Sequence, residues 1–134
     1  MNKAKLLLVD DEKPFLDTIT KRLEKRELNV SAVYSGKEAL KELENNKSIE
    51  VVVLDVKMPG MDGIETLVEI KKKFPLVEVI MLTGHATVET AIDGMKVGAF
   101  DYLMKPCDID ALVTKVNEAV EDRKSTRLNS SHRL

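Results

Sequence analysis

The chain has 134 residues, a formal net charge of -2, 43% hydrophobic and 33% charged residues. These values fit one globular domain that buries about two-thirds of its unfolded surface, and they argue against a nucleic-acid-binding or membrane-binding surface. One cysteine, Cys107, excludes an internal disulfide framework and fits a reducing cytoplasm, while "MNKAKLLLVDDE" lacks the long apolar core and cleavage site of a signal peptide.

Short apolar runs alternate with helical patterns along the chain. "KLLLVD" (5–10), "NVSAVY" (29–34), "EVVVLDV" (50–56), "VEVIML" (77–82) and "DYLMK" (101–105) predict five strands. The first, third and fourth are nearly unbroken Val, Ile, Leu and Met, as expected of strands buried on both faces of a parallel sheet. The second is more polar and reads as an edge strand.

Between the strands, Phe15, Ile19 and Leu23 recur at four-residue spacing. Ala39, Leu40 and Leu43 form a second stripe, and Ile64, Leu67 and Val68 a third. Ile109, Leu112, Val116 and Ala119 form the last one. Pro14 suits the first turn of the first helix, and Asp62 with Glu65 resembles a capping box before the third. The fourth helix is weak: "TVETAIDGMKVGAF" carries Thr87, Thr90, Asp93, Gly94 and Gly98, so only tertiary packing can hold it. The alternation is (βα) repeated five times, an α/β fold with helices on both faces of a parallel sheet. The domain is expected over residues 1–124. Ser125 to Leu134 lacks periodicity and reads as a disordered tail, an artificial extension, or the start of a linker to a further domain.

Polar residues gather at the strand ends. Asp10 and Asp11 close the first strand, Asp55 the third and Lys105 the fifth, and Thr83 follows the fourth. Open α/β sheets bind ligands beyond the carboxyl ends of their strands, where strand order reverses. In the flavodoxin-like order 2-1-3-4-5 the reversal falls between strands one and three, the two that carry acids. Three carboxylates so close would repel by several kcal/mol at an effective dielectric of about 20. A hard divalent cation, Mg²⁺ or Mn²⁺, relieves that repulsion and keeps coordination positions for water and a phosphate. One carboxylate can then act as nucleophile toward a phosphoryl group and form an aspartyl-phosphate. Lys105 and the Thr83 hydroxyl are suited to the phosphoryl oxygens.

"LLLVDDE", "VVVLDVKMPGMDGIE", "VIMLTGHA" and "GAFDYLMKP" together resemble the receiver domain of two-component response regulators, over Lys5 to about Lys124. The resemblance implies that Asp55 is the phosphoacceptor. It implies that Asp10 and Asp11 are the acidic Mg²⁺ pair, with Asp11 the more direct ligand, and that Lys57 lends the metal its backbone carbonyl. Thr83 matches the switch hydroxyl, Tyr102 the switch aromatic and Lys105 the family lysine, followed by an X-Pro bond that is cis in the family.

A histidine kinase or phosphotransfer protein would be the donor. The face of helix four, strand five and helix five would then change shape for an unknown output partner, or pair as a weak dimer. Hydrolysis of the acyl phosphate would reset the domain. His85 reads as a solvent-facing residue near the cleft. A haloacid-dehalogenase-like phosphohydrolase would need an acid where Lys57 stands, and a nucleotide-binding domain would need a glycine-rich phosphate loop. A binding module that is never phosphorylated would not need Asp10, Asp11, Asp55, Thr83 and Lys105 together.

Overall fold

The computed structural model describes residues 5–56, 63–84 and 88–129. Strands β1 (Lys5–Val9), β2 (Asn29–Val33), β3 (Val51–Leu54), β4 (Glu78–Thr83) and β5 (Asp101–Met104) pair in parallel in the order β2-β1-β3-β4-β5. Helices α1 (Lys13–Lys25), α2 (Gly36–Asn45), α3 (Gly63–Lys73), α4 (Val88–Val97) and α5 (Ile109–Asn129) follow them in alternation. The sheet is therefore the expected (βα)5 doubly wound, flavodoxin-like one. β2 is the half-buried edge that its polar sequence indicates.

Alternation along the strands divides the core in two. Leu7, Val9, Val52, Leu54, Val79 and Met81 face one side, where they join Ala39 and Leu43 of α2 and Leu67 and Ile70 of α3. Leu6, Leu8, Val51, Val53, Ile80 and Leu82 face the other, with α1 and α5. An unbroken apolar run is thus the only sequence that satisfies both faces of a covered strand. In α1 the buried stripe is Leu16, Ile19 and Leu23. Each such side chain contributes about 1.5–3 kcal/mol by leaving water. Phe15, the first member of the four-residue spacing, packs against this cluster but is only partly buried, with the Lys105 ammonium over its ring.

Local signals hold the helices in place. Pro14 stands in the first turn of α1, where its missing N–H costs nothing. Ser35 caps α2 by accepting the Glu38 N–H at 3.1 Å, and the Glu38 carboxylate accepts the Tyr34 N–H at 2.8 Å. The Asp62 part of the box predicted before α3 lies outside the described residues. α4 forms despite its composition because Gly94 lets the helix lie directly on the Met81 side chain. α5 continues through Ser125 to Asn129, so the expected irregular tail is helical over its first part. An established helix gains one backbone bond per added residue, and Arg127 and Leu128 are good formers.

At the N-terminal end of β4, Lys71 donates to the carbonyls of Pro75 (3.0 Å) and Val77 (2.9 Å) and lies 3.5 Å from Glu78. Burial and a hydrogen bond with Asp122 push the Glu78 carboxyl from 4.5 up to about 7, against the pull of Lys71. A folded-state value above the unfolded one means the folded chain holds this proton more tightly. The stabilisation is complete below 4.5 and is lost as pH rises through about 7. Thermal unfolding midpoints measured across that window should fall with rising pH, and Glu78→Gln should flatten the fall. A Glu78→Gln profile parallel to wild type would contradict this account.

Candidate phosphoryl-acceptor site

The acid pair begins where β1 stops. The Asp10 N–H still bonds the Val33 carbonyl at 3.2 Å, which anchors Asp10 to the sheet and leaves it 2% exposed. Its Oδ1 accepts the Glu12 N–H at 2.9 Å and turns the chain into α1. That bond fixes the carboxylate, and Oδ2 accepts the Lys105 ammonium at 2.6 Å. Asp11, one residue on, is exposed.

Asp55 is delivered by β3 in the same way. Its N–H bonds the Val9 carbonyl at 2.9 Å, and the residue is 5% exposed. Gly63, the first residue of α3, presses against this strand end and donates its N–H to the Val56 carbonyl at 3.1 Å. A Cβ on Gly63 would run into Val56 Cα and come within 2.6 Å of the Asp55 carbonyl oxygen. Only glycine permits that approach. Oxygens of Asp10, Asp11 and Asp55 all lie within 4.8 Å of one another, on the two adjacent strands at the reversal of strand order.

Lys105 reaches the cluster from the end of β5. Besides Asp10 it bonds Glu12 Oε1 at 3.1 Å, and it lies 3.9 Å from Asp55 Oδ2. Burial works against its charge, but the hydrogen bonds to Asp10 and Glu12 and the charges of Asp10 and Asp55 outweigh it. The ammonium is held above its usual range and is charged at any physiological pH. The Lys105–Pro106 peptide is cis, as the resemblance implied.

Among the described residues the carboxylates of Asp10, Asp11 and Asp55 gather beside the Lys105 ammonium, and Asp10 and Asp55 are almost fully buried. That excess of hard, negatively charged oxygen fits a divalent cation of the Mg²⁺ or Mn²⁺ kind. The cluster could hold a metal, to which Asp10, Asp11 and Asp55 would each offer one carboxylate oxygen. Lys57, expected to add a backbone carbonyl, lies outside the described residues, as does His85.

Thr83 ends β4 in register with Met104, one residue before Lys105; its side chain is outside the described set. Tyr102 lies in β5, paired with Met81. It is 40% exposed and lines a 360 Å³ groove with Ala91, Ile92, Met95 and Lys96 on the α4–β5 surface. Two residues at the site were not singled out from the sequence: Glu12 and Phe15, both touching the Lys105 ammonium. Glu12 had a signal, being a third acid directly after the pair. Phe15 had none beyond the helical spacing that it shares with core residues.

A parallel five-stranded sheet with an acidic cluster at its switch point defines a flavodoxin-like receiver class. The family model for the response regulator receiver domain matches residues 6–117. A receiver domain from Clostridium thermocellum has 42% identity and a TM-score of 0.86, with 90% of this chain and 97% of that one covered. An NtrX-like response regulator of Rickettsia conorii is 38% identical over 96% of this chain and 27% of its own length. The DNA-binding transcriptional regulator NtrC of Klebsiella pneumoniae is 36% identical over 90% of this chain and 25% of its own. This chain belongs to the response regulator receiver domain family of two-component signal transduction. It spans about a quarter of the length of these curated relatives.

The contact of Gly63 with the Asp55 strand end makes a specific demand. Gly63→Ala should lower folding stability by about 3 kcal/mol, the upper end for overpacking, as measured by urea unfolding. A wild-type midpoint would show that the approach is not tight.

Proposed function

We propose that the domain is a phosphorylation switch in which Asp55 accepts a phosphoryl group from a phosphohistidine on a partner kinase or phosphotransfer protein. The observation that carries this reading is the convergence of three carboxylates within 4.8 Å, with the Lys105 ammonium 3.9 Å from Asp55. A turn-forming or capping acid needs no such company.

In this reading an Asp55 carboxylate oxygen attacks the phosphorus in line with the departing imidazole nitrogen. The P–N bond breaks as the P–O bond forms, and the imidazole takes its proton from solvent. Asp55 suits the role because both flanks of β3 are hydrogen-bonded to neighbouring strands, so the nucleophile cannot drift. A divalent cation held by Asp10, Asp11 and Asp55 would supply positive charge opposite the phosphoryl oxygens. Lys105 moves from Asp10 toward the new dianion, a shift that its 3.9 Å distance from Asp55 permits. Attack of water on the phosphorus later breaks the P–O bond to Asp55, releases inorganic phosphate and restores the carboxylate. The residues assist both reactions on their own domain, so the role is that of a phosphoacceptor rather than of an enzyme with a separate substrate.

The output follows from the ends of β4 and β5. Thr83 would bond a phosphoryl oxygen, and Tyr102 would turn into the space vacated. The groove of Ala91, Ile92, Met95 and Tyr102 would change shape with them. Ile92 is 46% and Met95 42% exposed, the apolar character expected of a surface that meets a partner or a second copy. NtrC is a DNA-binding regulator several times longer than this chain, and by that likeness the face would serve an output segment of similar kind. No helix among the described residues is long and apolar enough to cross a membrane, and the reading places the protein in the cytoplasm, where the kinase's donor domain would be.

Incubation with Mg²⁺ and a small acyl phosphate, followed by intact mass measurement, should show a gain of one phosphoryl group. Asp55→Ala and removal of Mg²⁺ with EDTA should each abolish it. No gain in the wild-type protein would favour a binding module that is never phosphorylated.

A further inference from the structure

We propose that Phe15 is a positioning residue of this site, its ring face seating the Lys105 ammonium beside Asp55. The proposal rests on the phosphoacceptor reading. The Lys105 Nζ lies 4.2 Å from the centre of the Phe15 ring, well inside the range of a cation–π contact. Besides Asp55 at 3.9 Å, three groups among the described residues hold this ammonium, whose side chain is only 13% exposed: Asp10 Oδ2 at 2.6 Å, Glu12 Oε1 at 3.1 Å and the ring.

The three holds differ in what happens once the site is used. Asp10 is one of the carboxylates able to ligate a divalent cation, and a carboxylate engaged by an ion is a poorer acceptor for an ammonium. Glu12 is 64% exposed, so water competes for its bond. The ring neither ligates metal nor exchanges its partner for water. Its place is set by the first turn of α1, which Pro14 starts and the bond from the Glu12 N–H to Asp10 Oδ1 ties to the acid pair.

Phe15 is thus the hold that neither a bound ion nor water weakens. It keeps the long, flexible lysine from swinging into solvent while Asp55 receives its load. Core packing does not account for the residue equally well. The buried stripe of α1 is Leu16, Ile19 and Leu23; Phe15 packs against that cluster while staying only partly buried, which leaves a ring face for the lysine.

The test uses the full chain and two readouts. In protein carrying ¹³C-labelled lysine, the ε-methylene protons of Lys105, assigned by their loss in Lys105→Arg, should be shifted upfield by the ring. They should stay so when Mg²⁺ is added. Phe15→Leu should abolish the shift and Phe15→Tyr should keep it. At saturating Mg²⁺, phosphoryl uptake from a small acyl phosphate should be about threefold to tenfold slower in Phe15→Leu, as loss of a cation–π contact allows, and near wild type in Phe15→Tyr. Mg²⁺ affinity should be unchanged.

Unfolding midpoints check that the variants are folded, with Phe15→Met in reserve should Phe15→Leu be unstable. An unshifted Lys105 in wild type, or a wild-type uptake rate in a folded Phe15→Leu or Phe15→Met, would overturn the proposal. A wild-type protein that takes up no phosphoryl group would instead overturn the phosphoacceptor reading, whatever the lysine signal shows.

Discussion

The ion pair between Lys105 and Asp10, 2.6 Å long and nearly closed to solvent, is the constraint around which this end of the molecule is arranged. Burying Asp10 and Asp55 side by side is unfavourable unless positive charge comes with them. The sheet meets that need by placing directly after β5 a lysine whose stem runs past Gly84 to the acids. With Asp11 added there is still more negative charge than one ammonium balances, and a site with such an excess invites a divalent cation. In the proposed reading the same imbalance would supply the chemistry, because charge already gathered could be redistributed on arrival of a phosphoryl group.

Rigidity and freedom are divided between the two halves of the sheet. β1 and β3 are central, fully covered and apolar on both faces, so the acids that they carry are held as firmly as the core itself. The close contact of Gly63 with Val56 and Asp55 extends that firmness to the start of α3. On the other side, α4 contains Gly94 in its interior and presents Ile92 and Met95 to solvent. A helix of low intrinsic propensity, resting on a flexible methionine, can be displaced at small cost. The proposed switch would ask for this arrangement: a fixed place for the chemistry and a neighbouring element that yields.

The first turn of α1 joins the two ideas. The bond between the Glu12 N–H and Asp10 makes the acid pair and the helix start a single unit, and that unit brings a carboxylate and an aromatic ring over the lysine. Lys105 is therefore held by two elements far apart in sequence, β5 and α1, and its position reports on both. At the opposite end of the sheet, Lys71, Glu78 and Asp122 form a separate polar cluster tying β4 to α3 and α5.

Much of this could be read directly from the residues. Unbroken runs such as Val51 to Leu54 can serve only strands covered on both faces, and acids or a lysine at the ends of such runs must converge if the strands are parallel. Asp10, Asp11, Asp55 and Lys105 were legible for that reason: strand direction alone brings them to one edge. The sequence could not tell which of the closely spaced apolar residues of α1 turns inward. That depends on the angle at which the helix meets the sheet, and it put Leu16 in the core and Phe15 over the lysine. Nor could it show that Asp10, rather than Asp55, is the nearer partner of Lys105, or that Glu78 meets Asp122 across the sheet's other end. Patterning determines which elements form and which ends carry charge. Distances of a few ångströms between side chains on different elements are decided only when those elements pack.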